Sequence, residues 1–156
     1  MASFTLHYLI GKLDPLALLD TKEAAVKGPL ASIMALKVCF GVKEMEIIVE
    51  NEFSEIFVPL LITLEIYSQA KLERPFDCAL DCLKAFLTCK GCHSIAQNVS
   101  RPEDFGDFVA FVTESLCIDF PMYLPKVSLV FLGKTLNFRA VFSNQNSLIK
   151  ALLRFL

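Results

Sequence analysis

The sequence has no tryptophan, only two histidines and six glycines, and charged residues fill just 21% of its 156 positions. Each shortage excludes something. With His7 and His93 as the only imidazoles, a Ser/His/Asp or Cys/His triad has two bases to draw on. No phosphate loop, dinucleotide fingerprint or nucleophile elbow occurs. Also missing is any uninterrupted run of roughly 20 apolar residues, the length a membrane-spanning helix needs. Lys37 closes the run at 28–36, Glu65 closes that at 56–64, and Lys126, Lys134, Arg139, Lys150 and Arg154 divide the last third. No membrane span is expected. The net charge is only −2, from 15 Lys+Arg against 17 Asp+Glu, so no general field draws phosphates and nucleic acid is not an expected partner. The apolar start, 1–11, lacks a basic lead, and Asp14 and Asp20 follow where a cleavage site belongs, so no signal peptide is read. The six cysteines are then expected as reduced thiols of a cytoplasmic or nuclear protein.

What is abundant is apolar surface: 54% hydrophobic residues, among them 14 phenylalanines. That composition excludes a disordered chain, and the length predicts one domain over 1–156. Phe53, Ile56, Phe57, Leu60, Leu61 and Leu64 recur at spacings of three and four, which line one face of a helix. Asn51 is its expected N-cap, and Pro59 is expected to bend it without stopping it. A second stripe, Phe76, Ala79, Leu80, Leu83, Phe86 and Leu87, starts from Pro75 and stops at Gly91. The short connection between the two predicts an antiparallel pair. Ser100-Arg101-Pro102-Glu103 is a capping box for a third helix, with Phe105, Phe108, Val109, Val112 and Leu116 as its buried face. From Pro121, the residues Leu124, Val127, Val130 and Phe131 predict a fourth, ending at Gly133, and a last helix is expected from Ser147.

Near the N-terminus, Asp20-Thr21-Lys22-Glu23 is another capping box, Gly28-Pro29 is expected to interrupt that helix, and a new one is expected over 30–40. Segment 43–49 is compatible with helix or strand because Ile47-Ile48-Val49 is β-branched, and 127–132 and 136–142 could form a strand pair around Gly133-Lys134; helix is preferred for all three. Helix starts near 51, 75, 101 and 122 imply paired units of roughly 40 to 50 residues, the HEAT and armadillo range. The expected fold is therefore all-α, a HEAT/armadillo-like stack of antiparallel helix pairs, with a small α+β domain as the alternative. The apolar end, 148–156, lacks the polar cap of a finished solenoid, which predicts a fragment of a longer array or a face for self-association.

Three groups carry candidate chemistry. Cys89-Lys90-Gly91-Cys92-His93 fits C-x-x-C-H, the haem-attachment pattern, with two thiols for the vinyl groups and His93 as axial ligand. Its plainer reading is a helix C-terminus with Gly91 as a left-handed cap. Cys78, Cys82, Cys89 and Cys92 form a candidate four-thiolate zinc set, although a helix through 78–89 holds its two pairs about two turns apart. Glu44, Glu46, Glu50, Glu52 and Glu55 make an acidic cluster, more simply a solvated face.

The stretch Glu50-Asn51-Glu52-Phe53-Ser54-Glu55-Ile56-Phe57-Val58-Pro59-Leu60-Leu61 resembles the maestro heat-like repeat family, as does Ala79-Leu80-Asp81-Cys82-Leu83-Lys84-Ala85-Phe86-Leu87 with Gly91-Cys92. The resemblance covers about 45–116 and implies an intracellular α-solenoid with no catalytic residues to carry over. The expected function is a non-enzymatic protein-interaction or scaffold module that needs no cofactor. The alternative is a metal- or haem-binding protein using Cys78, Cys82, Cys89, Cys92 and His93.

Overall fold

The computed structural model describes residues 8–10, 23–69, 71–99, 105–137 and 152. In chain order its helices are α1 (Glu23–Phe40), α2 (Met45–Asn51), α3 (Phe53–Gln69), α4 (Glu73–Lys90), α5 (His93–Asn98), α6 (Phe105–Asp119), a 3₁₀ turn (Pro121–Tyr123) and α7 (Leu124–Asn137). No strand occurs among the described residues, so the fold there is all-α. The β-branched run Ile47-Ile48-Val49 lies in α2, where helical spacing buries Met45 and Val49 on one side. Core burial at that period overrides strand propensity. Residues 127–132 belong to α7, and 138–142 lie outside the described residues.

The α3 helix is buried almost all round, from Phe53 to Tyr67, which is the pattern of a central helix. Pro59 sits inside it, and the Thr63 hydroxyl donates to the Pro59 carbonyl at 2.8 Å. By contrast α4 is amphipathic, and all six residues of its predicted stripe are buried. It packs most extensively on α1, then on α3, while α3 meets α7, giving the order α1–α4–α3–α7. The shorter α2 and α5 also rest on α4. A regular solenoid sets each unit against its chain neighbours. Here α1 finds its main partner three helices later.

Several local expectations are corrected. Asn51 is the last residue of α2, not a cap; Glu52 separates the helices, its N–H donating to Ile48 O and its carbonyl accepting from Ile56 N. Gly28-Pro29 does not interrupt α1, which runs unbroken from Glu23 to Phe40. A proline removes one hydrogen bond, and a helix held in the core beyond it by Ile33, Leu36 and Phe40 continues through it. Nor does Gly133 end α7; it keeps a right-handed backbone and the helix continues to Asn137. The capping boxes at 20–23 and 100–103 fall largely outside the described residues, as does the expected C-terminal helix apart from Leu152. Leu152 is fully buried, and its carbonyl accepts the Ser128 hydroxyl at 2.5 Å. That part of the apolar end serves this chain's own core.

Two helices end alike. After α4, Gly91 adopts φ 92°, Cys92 N–H donates to Leu87 O at 2.8 Å and Gly91 N–H to Thr88 O at 3.0 Å. This is a Schellman end, as the plainer reading of the C-x-x-C-H segment expects. After α3, Leu72 N–H donates to Tyr67 O and Lys71 N–H to Ser68 O, with Lys71 at φ 56° in the role usually given to glycine.

An aromatic chain ties the layers. Phe40 meets Phe86 with ring centroids 5.4 Å apart, Phe86 meets Phe53 at 5.1 Å, and Phe53 stacks on Tyr123 at 4.4 Å. Offset and tilted rings at such distances add to what burial alone contributes.

Candidate functional site

The end of α1, the 41–44 turn, α2 and the end of α4 enclose a cleft of about 580 Å³. Glu46 and Glu50, one helical turn apart on α2, line one wall, and Cys89, Lys90 and His93 line the other, with Val42 and Lys43 at the turn. Glu50 Oε1 is 3.7 Å from Lys90 Nζ. The Lys90 side chain is only 11% exposed and lies over the rings of Phe120 and Tyr123, at 5.3 and 5.4 Å from their centroids. Burial by itself lowers the Lys90 pKa, but its hydrogen bond with Tyr123 and the charge of Glu50 outweigh that and the net shift is upward. The ammonium is thus a fixed cation joining the α4 end to the 3₁₀ turn.

The cysteines do not assemble. All six lie among the described residues and none is disulfide-bonded. Cys89 follows Cys78 by eleven positions along α4, about 16 Å at 1.5 Å per residue. Thiolates sharing one zinc each stand ~2.3 Å from it, so these two cannot share an ion. Cys82 is wholly buried and its thiol is pushed up to about 12 by desolvation. Cys92 is buried too, its thiol also raised by burial, and that leaves no accessible pair for a porphyrin at Cys89 and Cys92. No group of three or more His, Cys, Asp or Glu side chains among the described residues is placed to hold a metal ion.

Cys89 and His93 do reach the cleft. Burial, and then Glu46, raise the Cys89 thiol, which is opposite to what an attacking thiolate needs. His93 is exposed, and His7 lies outside the described residues. Elsewhere in the acidic cluster, Glu55 pairs with Lys126 at 3.5 Å.

A second notable surface lies on the outside of α1. On α1, Ile33, Leu36 and Phe40 face inward, while Met34 (58% exposed) and Val38 (73%) face out, and Val42 (46%) follows at the same spacing where it lines the cleft. The signal for it is present in the sequence: apolar residues at a spacing of four, offset from the core stripe by one position. At the α6–α7 corner, Ile118 and Met122 are also exposed. No single helix among the described residues is long and apolar enough to cross a membrane; α6 and 121–133 pass such a test only together, and they are bent by 113°.

Comparison with protein-family models, curated proteins and solved structures finds no match to this chain.

Proposed function

We propose that this chain is a non-enzymatic, helical protein-interaction module whose docking face is the outer side of α1. One observation carries the reading: Met34 and Val38, one turn apart on α1, are large apolar residues that are both exposed, and Val42 in the turn that follows is exposed as well. Single exposed apolar residues are ordinary, whereas neighbouring ones on one helix face are what helix-on-helix recognition uses. In the finer reading α3 and α4, where the maestro heat-like repeat resemblance falls, are a HEAT-type helix pair, and α1 is the outer helix left open to a partner. The packing of α1 on α4 weighs against a long regular array, so the module is read as a compact one.

The test is site-specific photo-crosslinking in cells, with benzoylphenylalanine replacing Val38 or, as a control on another surface, Arg74. A discrete adduct from position 38 that is missing from position 74 and is lost with Met34→Asp supports the reading. Equal adducts from both positions, or an adduct indifferent to Met34→Asp, overturn it.

A further inference from the structure

Between α5 and α6 lies a smaller groove that shares no residue with the cleft at 40–50 and 88–93. It holds about 130 Å³, below the roughly 300 Å³ at which small-molecule sites begin, and so has room for a single side chain. Phe111, Ser115 and Ile118 line it at spacings of four and three along one flank of α6, beside the buried face of Phe108, Val112 and Leu116. Ser94 and Asn98, one turn apart on α5, form the other wall, and Asp119 closes the end. The rim is apolar and open: Ile118 is 81% exposed, and Met122 in the 3₁₀ turn that follows is 68% exposed.

The groove carries charge of one sign. Asp119 is the charged residue of its lining, and it forms no ion pair among the described residues; nor does Glu114, one turn before Ile118. The Asn98 Nδ2 is committed to the Ser94 carbonyl at 2.8 Å, which leaves Oδ1, an acceptor, as the free end of the amide. The nearest cations are engaged elsewhere, Lys90 with Glu50 and the rings of Phe120 and Tyr123, and Lys126 with Glu55. His93 and the N-terminal end of α5 open onto the other cleft, whereas Asp119 ends the 15-residue α6 at the negative pole of its dipole. Over 91–125 the sequence sets Glu103, Asp104, Asp107, Glu114 and Asp119 against Arg101 alone.

We propose that the α5–α6 groove receives an arginine or lysine side chain of a partner protein, with an apolar neighbour of that residue resting on Ile118 and Met122. The methylene stem covers Phe111 and Ile118, and the charge at its tip meets Asp119 and the Asn98 Oδ1. A glutamate in the same place faces two carboxylates and no cation, and a glutamine forgoes the charge. The inference does not rest on the α1 face: the two surfaces share no residue, and either fails without the other.

The probe is N-acetyl-leucyl-arginine amide, titrated into the full ¹⁵N-labelled chain, with the glutamine and glutamate analogues as comparisons and neutral phosphatidylcholine vesicles as a third. The expected result is a saturable shift of the amides at 94–98 and 111–119 with the arginine probe only, weakening with salt. Asp119→Asn is expected to weaken it about threefold, as loss of a single exposed charge does, and Ile118→Lys to abolish it. Both side chains are exposed, so both variants are expected to fold, and retention of the parent amide spectrum away from the groove checks this. Absence of a saturable shift, equal shifts with the glutamine or glutamate probe, or affinity unmoved by Asp119→Asn overturns the inference. So does a response of 118–122 to vesicles with none to the arginine probe, which makes the corner a lipid contact.

Discussion

The two Schellman ends make a reciprocal experiment. Lys71 occupies the left-handed region at φ 56°, and Gly91 does so at φ 92°. A left-handed backbone costs an L-residue with a side chain about 1–2 kcal/mol, so Lys71→Gly removes that strain. Against it stands the larger conformational freedom that glycine brings to the unfolded chain, about 0.4–1 kcal/mol. The net expectation is stabilisation by about 0.5–1 kcal/mol, since Lys71 is exposed and its side chain makes no hydrogen bond or ion pair among the described residues. At Gly91 the signs reverse. A Cβ there meets nothing within 4 Å, so Gly91→Ala is a test of backbone conformation alone, with no clash to confuse it. It is expected to destabilise by about 0.5–1.5 kcal/mol. Urea unfolding followed by circular dichroism reads both as shifts of midpoint at constant slope. In a chain of this size each kcal/mol also moves the thermal midpoint by about 2–4 °C. If both variants move stability in the same direction, the assignment of these two ends as one motif is wrong.

Phe86 is fully buried and its ring meets those of Phe40, Phe53 and Phe57, so Phe86→Ala is expected to cost about 3–5 kcal/mol by urea unfolding, whereas Phe86→Leu costs much less. A double-mutant cycle of Lys90→Met and Phe120→Leu is expected to give a coupling of about 0.5–1 kcal/mol, and zero coupling removes the cation–ring contact from the account. Cys82 titrates near 9 when unfolded and is raised to about 12 in the fold, so its contribution is complete below pH 9 and is lost as pH rises toward 12. Stability measured across that window is expected to fall by up to ~1.4 kcal/mol per pH unit from this group, and Cys82→Ala is expected to flatten the slope. Ser128→Ala leaves the Leu152 carbonyl without its buried donor and is expected to cost about 1–3 kcal/mol, while removing Leu152 and Ser128 together is less than additive.

How much of the fold is legible depends on how locally each element is determined. The α4 helix is readable from end to end: its stripe, its first-turn proline and its Gly91 stop are all short-range signals, and all six stripe residues are buried. The errors lie where a local rule met tertiary context. Pro29 is a helix breaker by propensity, yet α1 continues through it and buries Ile33, Leu36 and Phe40 beyond. Asn51 is a good cap by chemistry, but Val49 draws the chain into α2 and leaves Glu52 as the only break before α3. The buried surface of α3 is wider than its predicted stripe: Val58 and Ile62 lie off that stripe and are buried as well, because α4 and α7 both pack on the helix. The helix order α1–α4–α3–α7 has no short-range signature at all.

The same division governs the candidate site. Cys89 to His93 attract attention because their letters match a cofactor pattern, and that pattern presumes two reachable thiols. A Schellman end turns Cys92 inward while leaving Cys89 and His93 at a cleft, so the spacing that suggests chemistry is the spacing that a helix stop produces. Glu46 and Glu50 belong to a run that by sequence is a solvated face, and they gain their place from the 41–44 turn, which folds α2 back until both residues line the cleft with the end of α4. Nothing between 41 and 50 encodes the position of 88–93; it follows from Phe40 on α1 seating against Phe86 on α4. That contact joins the stability of the core to the shape of the cleft. Loosening it is expected to separate the cleft walls before it disturbs α3, so with a mild substitution such as Phe40→Leu the amides at 41–46 and 89–93 exchange hydrogen faster while those of α3 keep their protection; equal acceleration in α3 refutes this.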